Sequence, residues 1–448
     1  MGDETESFIR FYVSCKRRFK RMSTAKLLDY QKEKGREIVR FAVRESSFFK
    51  THYSKHNLDD IWNLPLVSKK IMMDNLTDYN TLGFKKTELI EFLERIEREQ
   101  SFSERFLGYN VAMSSGTSGS KGIVITSPAE EKYLQAAFFA RFSFPKILRI
   151  KWAFLLRVTI PAFQVSKFGQ RLTHFSLLLT LDEMKRRLEK FQPNILSAPP
   201  SMLKILAREI SQHKLNIKPK RIVSYAEVLD PNIKEEIENS FKTPVHQIYQ
   251  GSEGSFALTC KHGSLHINED LVFVQTFDSK GNSTSPGEPC FQMIVTDLHK
   301  KSQPIIRFEL NDIITISPEK CKCGSSFRVI EQVMGRSDDL LWTHNIESNE
   351  LQFIYPDYIR RAIIVSSDEI MEYQAIQKDY KKILLRIQLK TKEFNKELLQ
   401  EKLKKNIQDV FSSYKCQLPE IEIRFEPPKR NKMSGKLIRI HRAFDLEE

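Results

Sequence analysis

The chain has 448 residues, of which 40% are hydrophobic and 29% are charged, so its composition excludes a globally disordered protein and its length predicts two to four domains. The net charge of +14 suits nucleic acid, an anionic membrane surface or an acidic partner. Because the basic residues are spread widely and lack a zinc-finger or RNA-binding signature, we interpret them as a lysine-rich solvated surface and expect no nucleic-acid partner.

The segment 1–105 is predicted to be a mostly helical lead-in, because 23–46 and 85–100 carry apolar residues at helical spacing. It starts acidic and has no uninterrupted apolar core, so it does not resemble a signal peptide. The nearest approach to a membrane span, 152–163, is interrupted by Arg157 and is shorter than the roughly 18 residues required. We therefore expect a cytoplasmic protein without a membrane span.

From residue 110 onward, short β-rich runs alternate with amphipathic helical segments. The predicted strands are 123–125, 222–223, 245–249, 272–277 and 293–296. The predicted helices are 127–142, 181–191, 200–214 and 230–241. Several of these helices open on Ser, Asp or Pro, which suit N-terminal positions. The alternation predicts an α/β fold with helices packed on mixed, partly parallel sheets.

After about residue 338 the pattern resets. Two strand-like runs, 381–389 and 420–426, flank a long helix-like segment, 395–414. Together they predict a small α+β module of a size typical of a separate domain. We therefore predict a large N-terminal domain at 1–337 and a small C-terminal domain at 338–448.

Residues 114–122 read SSGTSGSKG, a stretch rich in glycine and hydroxyl groups. Glycines let the backbone turn its N–H groups inward, and hydroxyls with a lysine add donors suited to phosphate. The spacing is not that of a Walker A loop, so an ordinary surface loop remains the alternative.

Four further motifs follow: IYQGSEG (248–254), PIIRFELNDI (304–313), MGRSDDLL (334–341) and KRNKMSGKLIRI (429–440). Taken singly, each motif has an ordinary alternative: 249–254 is typical of a strand-to-loop turn, Arg307 with Asp312 of a surface ion pair, GRSDD of a hinge loop and SGK of a polar turn. Taken together and in this order, the five motifs resemble the adenylate-forming superfamily of acyl-CoA and aryl-CoA synthetases. Within it the chain most resembles the phenylacetate–CoA ligase branch, with its capsular-polysaccharide and deazaflavin-adenylating relatives.

The resemblance implies an adenylate-forming domain followed by a mobile lid domain. It also implies an enzyme that joins a carboxylate to the α-phosphate of ATP, releases pyrophosphate and transfers the acyl group to a thiol. The implied acceptor is CoA or the phosphopantetheine arm of an acidic carrier protein. Ordinary hydrophobic core accounts for most of the apolar stretches 136–145, 152–164 and 173–181, and the remainder suits an aryl or acyl carboxylate without distinguishing the two. A homodimer is a further hypothesis.

Two rival functions stay open. In the deazaflavin-adenylating relatives the nucleotide itself is transferred, which would give a stable adenylylated cofactor or metabolite. Alternatively, the chain is a non-catalytic basic protein that binds RNA or an anionic membrane.

The resemblance also implies roles for individual residues in the first domain. The phosphate loop would comprise Ser114, Ser115, Gly116, Thr117, Ser118, Gly119 and Lys121. Glu253 would lie near Mg²⁺, with Ser252 at the α-phosphate. The remaining nucleotide-binding positions would be Ala226, Glu227, Tyr249, Gln250 and Gly251.

Later motifs supply the remaining implied roles. Asp312 would hold the ribose hydroxyls, because a carboxylate accepts from two hydroxyls at once, and Arg336 would also reach the nucleotide. Asp338 would be the hinge of the lid domain. Lys436 would be the catalytic lysine, assisted by Glu253 and Lys121.

Six cysteines are present, of which Cys15, Cys290 and Cys416 are interpreted as buried small hydrophobes. The pair in Cys-Lys-Cys (321–323) and the segment TCKHGSLHI (259–267) differ, because thiolate with imidazole favours tetrahedral Zn²⁺. Some phenylacetate–CoA ligase relatives carry a zinc with similar spacings. That similarity implies a structural zinc on Cys260, His266, Cys321 and Cys323, with His262 as the competing ligand and unliganded thiols as the alternative.

Overall fold

The computed structural model describes residues 2–99, 101, 103–113, 122–142, 144–145, 149–156, 165–167, 170–177, 179–336, 339–367, 369–391, 395–430 and 437–444. These residues divide into two compact units. The first unit contains the described residues up to 113, 122–310 and 315–333, and the second contains 311–314 and those from 334 onward. The predicted boundary between 337 and 338 falls on two residues outside the described part and stays a prediction.

The first unit opens with six helices. They are α1 (Gly2–Arg21), α2 (Thr24–Glu45), α3 (Ser47–His52), α4 (Lys69–Asp74), α5 (Leu76–Tyr79) and α6 (Lys86–Glu99). Serine side chains cap three of them: Ser23 begins α2, Ser46 begins α3 and Ser68 begins α4. The apolar stripe of α2 is buried from Leu27 to Ala42, as the helical spacing of the sequence predicts.

A ten-stranded sheet forms the centre of the fold, in the order β14-β15-β10-β9-β8-β7-β6-β3-β5-β4. Its strands are β3 (Lys151–Leu156), β4 (Val165–Lys167), β5 (Gln170–Ser176), β6 (Ile195–Ala198), β7 (Arg221–Ser224), β8 (Val245–Gln250), β9 (Ser255–Thr259), β10 (Leu265–Ile267), β14 (Asp312–Ile316) and β15 (Val329–Arg336). Five adjacent strands run parallel, in the order β5, β3, β6, β7 and β8. Strand β4 pairs antiparallel with β5, β9 with β8, and β10 with β9. The predicted α/β fold with a partly parallel sheet is therefore confirmed.

Helices α7 (Pro128–Arg141), α8 (Leu181–Phe191), α9 (Pro200–Ser211) and α10 (Pro231–Phe241) alternate with these strands. Their starts agree with the predicted capping. Ser127 and Glu130 form a capping box on α7, and Asp230 caps α10 with proline at its first helical position. Leu203 of α9 and Ile237 of α10 pack with Ile222 of β7 in one fully buried cluster.

A second aromatic cluster lies on β3. Trp152 stacks on Phe142 and Phe154 with ring centroids 5.1 and 4.5 Å apart, and its indole N–H donates to Ser197 Oγ at 2.7 Å. These apolar residues, which the sequence offered as candidates for the acyl pocket, are therefore largely core.

Two smaller sheets complete the first unit. One pairs β1 (Asn110–Met113) with β2 (Ile123–Thr126), and the other joins β11 (Val272–Phe277), β12 (Gln292–Asp297) and β13 (Phe308–Leu310) in antiparallel order.

The second unit has its own sheet and core. Its elements are β16 (Leu341–His344), β17 (Leu351–Ile354), α11 (Pro356–Ile364), β18 (Ile370–Asp379), β19 (Lys382–Leu389), α12 (Lys396–Ser413), β20 (Glu420–Arg424) and β21 (Ile440–Arg442). Four strands form a sheet in the order β20-β19-β18-β21. Leu403 and Phe411 of α12 are fully buried in the same cluster as Leu385 of β19. Trp342 is held by Gln377, whose side chain bonds both its backbone N–H and its carbonyl.

Across the helices of the described ranges, we find none with the length and apolarity to traverse a lipid bilayer.

Candidate functional site

Several predicted nucleotide-binding residues lie at the carboxyl ends of adjacent parallel strands. Strand β7 ends at Ser224 and is followed by Ala226, whose backbone adopts a left-handed conformation with φ +67°. A residue with a Cβ pays strain there, and such strain is commonest at functional sites. The preceding Tyr225 fixes the loop, because its buried hydroxyl donates to the carbonyl of Leu155 on β3 at 2.7 Å. Sequence reasoning missed Tyr225.

Glu227 lies next to this strained residue, and its carboxylate is held in place. One oxygen accepts the Ser201 hydroxyl at 3.0 Å and the other accepts the Ser201 backbone N–H at 3.1 Å. Ser201 is at the start of α9, just beyond β6, so a carboxylate there also benefits from the helix dipole. Glu227 therefore joins the ends of β6 and β7 and holds Ala226 in position.

Strand β8 delivers the YQGSEG motif. After Gln250 the chain makes a tight turn in which the Gly251 N–H donates to the carbonyl of Gly254 at 3.0 Å. A Cβ at Gly251 would lie 2.6 Å from Oε2 of Glu253 and 3.1 Å from the Phe256 ring. The Glu253 carboxylate thus folds directly over the Gly251 backbone, and only glycine leaves room for it.

A buried charge cluster backs this turn. Asp297, at the end of β12, accepts the backbone N–H groups of His299 and Lys300 at 2.8 and 2.9 Å. Burial raises the pKa of Asp297 to about 6, against these hydrogen bonds. Burial also lowers the pKa of Lys300, while the carboxylates of Asp297, Glu130 and Glu253 oppose that change. The motif reading missed this lysine, since nothing in TDLHKK marks which lysine is buried.

In the second unit, Asp312 and Arg336 form an ion pair. Arg336 Nε lies 3.2 Å from Asp312 Oδ1, and the two side chains are 44% and 19% exposed. Because the pair is partly exposed to solvent, it contributes little to stability. Both groups therefore remain accessible to a ligand while holding each other in orientation.

The structure brings the predicted metal ligands together. One donor atom each from Cys260, His266, Cys321 and Cys323 lie within 4.8 Å of one another. Sγ of Cys260 and Cys321 are 3.7 Å apart, close to the roughly 3.8 Å expected around tetrahedral Zn²⁺ with Zn–S bonds of about 2.3 Å. Nε2 of His266 lies 3.3 Å from Sγ of Cys323. His262 is outside this group.

Two similar turns present the sulfurs. In Cys-Lys-His-Gly (260–263) the His262 N–H donates to Cys260 Sγ at 3.3 Å, and in Cys-Lys-Cys-Gly (321–324) the Cys323 N–H donates to Cys321 Sγ at 3.3 Å. Each turn closes on a glycine with φ above +80°. His262 thus supplies a backbone donor to the centre.

The surroundings of the centre suit a cation. Nδ1–H of His266 donates to the carbonyl of Phe327 at 2.9 Å, which leaves Nε2 facing the sulfurs. Burial and the neighbouring thiols raise the pKa of Cys323, whereas hydrogen bonds lower the pKa of Cys321 despite its desolvation. Three thiolates would repel one another at this range, so full deprotonation requires a positive ion between them. The donor set therefore fits structural Zn²⁺.

No family model matches the chain. It is 26% identical to the protein CapK of Staphylococcus aureus over 204 residues, 45% of this chain and 43% of that protein. It is 22% identical to phenylacetate-coenzyme A ligase of Thermus thermophilus over 200 residues, 42% of this chain and 43% of that enzyme. The chain thus matches less than half the length of these curated relatives.

Solved structures match over more of the chain. 2-Hydroxyisobutyryl-CoA ligase in the postadenylation state, in complex with 2-HIB-AMP, aligns with a TM-score of 0.68 and 15% identity, covering 96% of this chain and 91% of that one. The chain has the adenylate-forming ligase fold. Its sequence is similar to the phenylacetate-coenzyme A ligases of Thermus thermophilus and Pseudomonas putida over 42% and 39% of its length. An anthranilate CoA ligase in complex with anthranoyl-AMP also aligns, with a TM-score of 0.53, 15% identity and coverage of 73% and 64%.

Several of the predicted site residues lie outside the described ranges. They are Ser114, Ser115, Gly116, Thr117, Ser118, Gly119, Lys121, Asp338 and Lys436. Their roles stay predictions. The described part therefore supplies the strained Ala226 loop, the Glu253 turn, the Asp312–Arg336 pair and the cysteine–histidine centre.

Proposed function

We propose that the chain is an ATP-dependent adenylate-forming ligase. It activates an aryl or acyl carboxylic acid as acyl-AMP with release of pyrophosphate, then passes the acyl group to the thiol of CoA or of a carrier protein. The observation that carries the proposal is the turn that folds Glu253 over Gly251 at the carboxyl end of β8, within this ligase fold. In open α/β sheets, ligands bind outside the carboxyl ends of the strands.

The proposed reaction has two steps, adenylation and transfer to a thiol. A carboxylate oxygen of the substrate attacks the α-phosphorus of ATP, and the bond to pyrophosphate breaks. The thiolate of the acceptor then attacks the acyl carbon, and AMP leaves. Supporting the assignment, complexes of 2-hydroxyisobutyryl-CoA ligase hold 2-HIB-AMP and CoA.

Residue roles follow from charge. Negative charge moves between phosphate oxygens during the first step, so positioned cations and donors lower its barrier. Lys121 with the Ser114–Ser118 hydroxyls would hold the β- and γ-phosphates, and Lys436 would bridge the substrate carboxylate and the α-phosphate. Mg²⁺, when bound, neutralises phosphate charge, and Glu253 is the carboxylate we assign to hold it.

The nucleoside would be held by the remaining residues. Asp312, oriented by Arg336, would accept the ribose hydroxyls, and the Ala226–Glu227 loop with Tyr249 would line the nucleotide pocket. Asp338 would be the hinge of a mobile lid at 338–448. Zinc on Cys260, His266, Cys321 and Cys323 would be structural, since four protein ligands leave no open position. A cytoplasmic location and a homodimer stay predictions.

The deciding experiment measures pyrophosphate release from Mg-ATP against a panel of aryl and fatty carboxylates, with AMP measured in parallel. We expect a carboxylate-dependent signal that falls at least about a hundredfold in Lys436→Ala and in Glu253→Gln. Lys429→Ala and Glu235→Gln, which change exposed charges, should leave it unchanged. Near-normal pyrophosphate release by Lys436→Ala would refute its catalytic role.

The AMP measurement separates the rival functions. Pyrophosphate without free AMP, even with a thiol present, would indicate nucleotidyl transfer to a cofactor or metabolite. Absence of both products, with salt-sensitive binding to polyanions and no stabilisation by ATP, would instead favour the basic binding protein.

A further inference from the structure

Helix α1 is anchored to the first unit by a buried ion pair. Arg18 Nε donates to Oδ2 of Asp270 at 2.7 Å, and the Asp270 side chain is fully buried. Arg141 pairs with the other oxygen of the same carboxylate. The Arg18 guanidinium also contacts Cys15 Sγ at 3.2 Å and donates to the Tyr133 hydroxyl at 2.8 Å. The surface of the first unit against which α1 packs is therefore centred on Asp270.

The last turn of α1 rests on the cysteine–histidine centre itself. The Phe19 ring meets the His266 imidazole edge to face, with centroids 5.3 Å apart and an interplanar angle of 87°. It meets the Phe327 ring in the same manner at 5.4 Å. Just beyond the helix, the Ser326 hydroxyl donates to the carbonyl of Met22 at 2.7 Å. His266, a candidate metal ligand, is thus part of the surface on which Phe19 packs; we call this surface, formed by His266 and Phe327, the seat of Phe19.

Two chain segments build this seat, and each carries candidate ligands. The first runs from Cys260 through His266 to Asp270. The second runs from Cys321 and Cys323 to Ser326 and Phe327. Direct bonds between the segments include His266 Nδ1–H to Phe327 O and the Arg328 guanidinium to Glu269 at 2.7 Å. A metal bound to all four ligands would cross-link both segments directly beneath the helix.

We propose that metal occupancy of this centre and the seating of the α1 C-terminal turn are thermodynamically linked. The proposal rests on the assignment of zinc above and goes beyond the adenylating function. With zinc bound, His266 and Phe327 are fixed, and Phe19 packs on a rigid surface. Without it, the Cys321–Cys323 turn loses its attachment to Cys260, and the seat loosens. Linkage is reciprocal, so docking of Phe19 must tighten zinc binding by the same factor.

The first experiment compares amide hydrogen exchange of the full-length, reduced protein with zinc bound and after chelation. We expect the peptide covering residues 15–23 to exchange at least about threefold faster in the metal-free protein, with a smaller change in the Lys86–Glu99 helix. Equal exchange of 15–23 in both states would contradict the linkage. The readout does not depend on enzyme activity.

The second experiment measures zinc affinity by competition with a chelating dye. Phe19→Ala should weaken zinc binding about three- to tenfold, the range of a buried aromatic contact. Phe11→Ala is the matched control, because Phe11 lies about two helical turns before Phe19 on the same helix and packs edge to face on Tyr133 at 5.0 Å. It should leave zinc affinity within about twofold of wild type.

The outcomes separate the underlying assignments. Unchanged affinity in Phe19→Ala, or an equal loss in Phe11→Ala, overturns the linkage while the zinc site stands. A wild-type protein that binds no zinc overturns both the site and the linkage. Neither result bears on the adenylating function, which pyrophosphate release tests separately.

Discussion

A single missing Cβ controls the position of the candidate magnesium ligand. Gly251 has an ordinary backbone conformation, so alanine fits its φ and ψ but not the space that Glu253 Oε2 occupies 2.6 Å away. The carboxylate, being the free end of a flexible side chain, would move aside. The residue therefore matters for chemistry more than for folding.

We predict that Gly251→Ala lowers pyrophosphate release at least about tenfold and raises the Mg²⁺ concentration needed for half-maximal rate, because a displacement of about 1 Å costs up to a hundredfold. The unfolding free energy should fall by no more than about 1–2 kcal/mol, because the buried Phe256 ring 3.1 Å from the new Cβ must also shift slightly. Gly254→Ala in the same turn is the control, since its Cβ would make only ordinary contacts at 3.5 Å or more. Equal activities of the two variants would refute the assignment of Glu253.

The contrast between Glu253 and Lys300 shows what local sequence predicts. Glu253 belongs to a compact motif, and the candidate metal ligands likewise lie in two short segments, Cys260 to His266 and Cys321 to Cys323. Lys300 and Asp297 are buried by the fold, with the carboxylates of Glu130 on α7 and Glu253 in the β8 turn acting on the lysine, so no local pattern marks them. The contact of Phe19 with His266 joins distant parts of the chain and is equally invisible in the sequence.

At the scale of elements, His299 joins the helical lead-in to the central fold. Its Nε2 lies 2.9 Å from the carbonyl oxygen of Asp270 and 3.1 Å from the hydroxyls of Tyr30 on α2 and Tyr133 on α7. Burial lowers the pKa of His299 to about 4, against the hydrogen bond to Asp270. Protonation of His299 therefore destabilises this junction.

We predict that this junction makes the protein sensitive to acid. In the unfolded state His299 binds a proton near pH 6.5, and in the folded state only near pH 4. The contribution of His299 to stability is therefore fully present above about pH 6.5 and is lost as the pH falls from about 6.5 to 4. The loss should be about 1–3 kcal/mol by pH 4. Chemical denaturation of His299→Gln should show a shallower pH dependence than wild type, whereas His56→Gln, at an exposed position, should not.

Helices with a strong apolar periodicity can be predicted from the sequence, whereas the position of a strand depends on the strands it pairs with and cannot. Helices α8 and α12 match their predicted segments because their apolar stripes and caps are local. The apolar run of β3 is equally compatible with core and with an acyl pocket in the sequence. Its pairing with β5 on one edge and β6 on the other makes it an interior strand of the sheet, which no local pattern shows.

At the scale of the whole molecule, the second unit has the means to fold alone. Its buried cluster draws on both α11 and α12 and on its own sheet. We predict that residues 339–448 produced separately unfold cooperatively, and that Leu403→Ala destabilises this fragment and the full chain alike by about 2–5 kcal/mol. Lys404→Ala, the exposed neighbour on α12, should cost less than about 0.5 kcal/mol. A fragment without a cooperative transition would contradict this autonomy.

The tryptophans are distributed so that the protein contains its own optical probes. Of the three in the chain, Trp152 is buried in the aromatic stack on β3 and Trp62 stacks on Phe273 at 3.7 Å, both in the first unit, whereas Trp342 is clasped by Gln377 in the second. Replacing Trp342 with phenylalanine would leave emission that reports on the first unit alone. The difference spectrum against wild type would then follow the second unit during turnover, without an attached label.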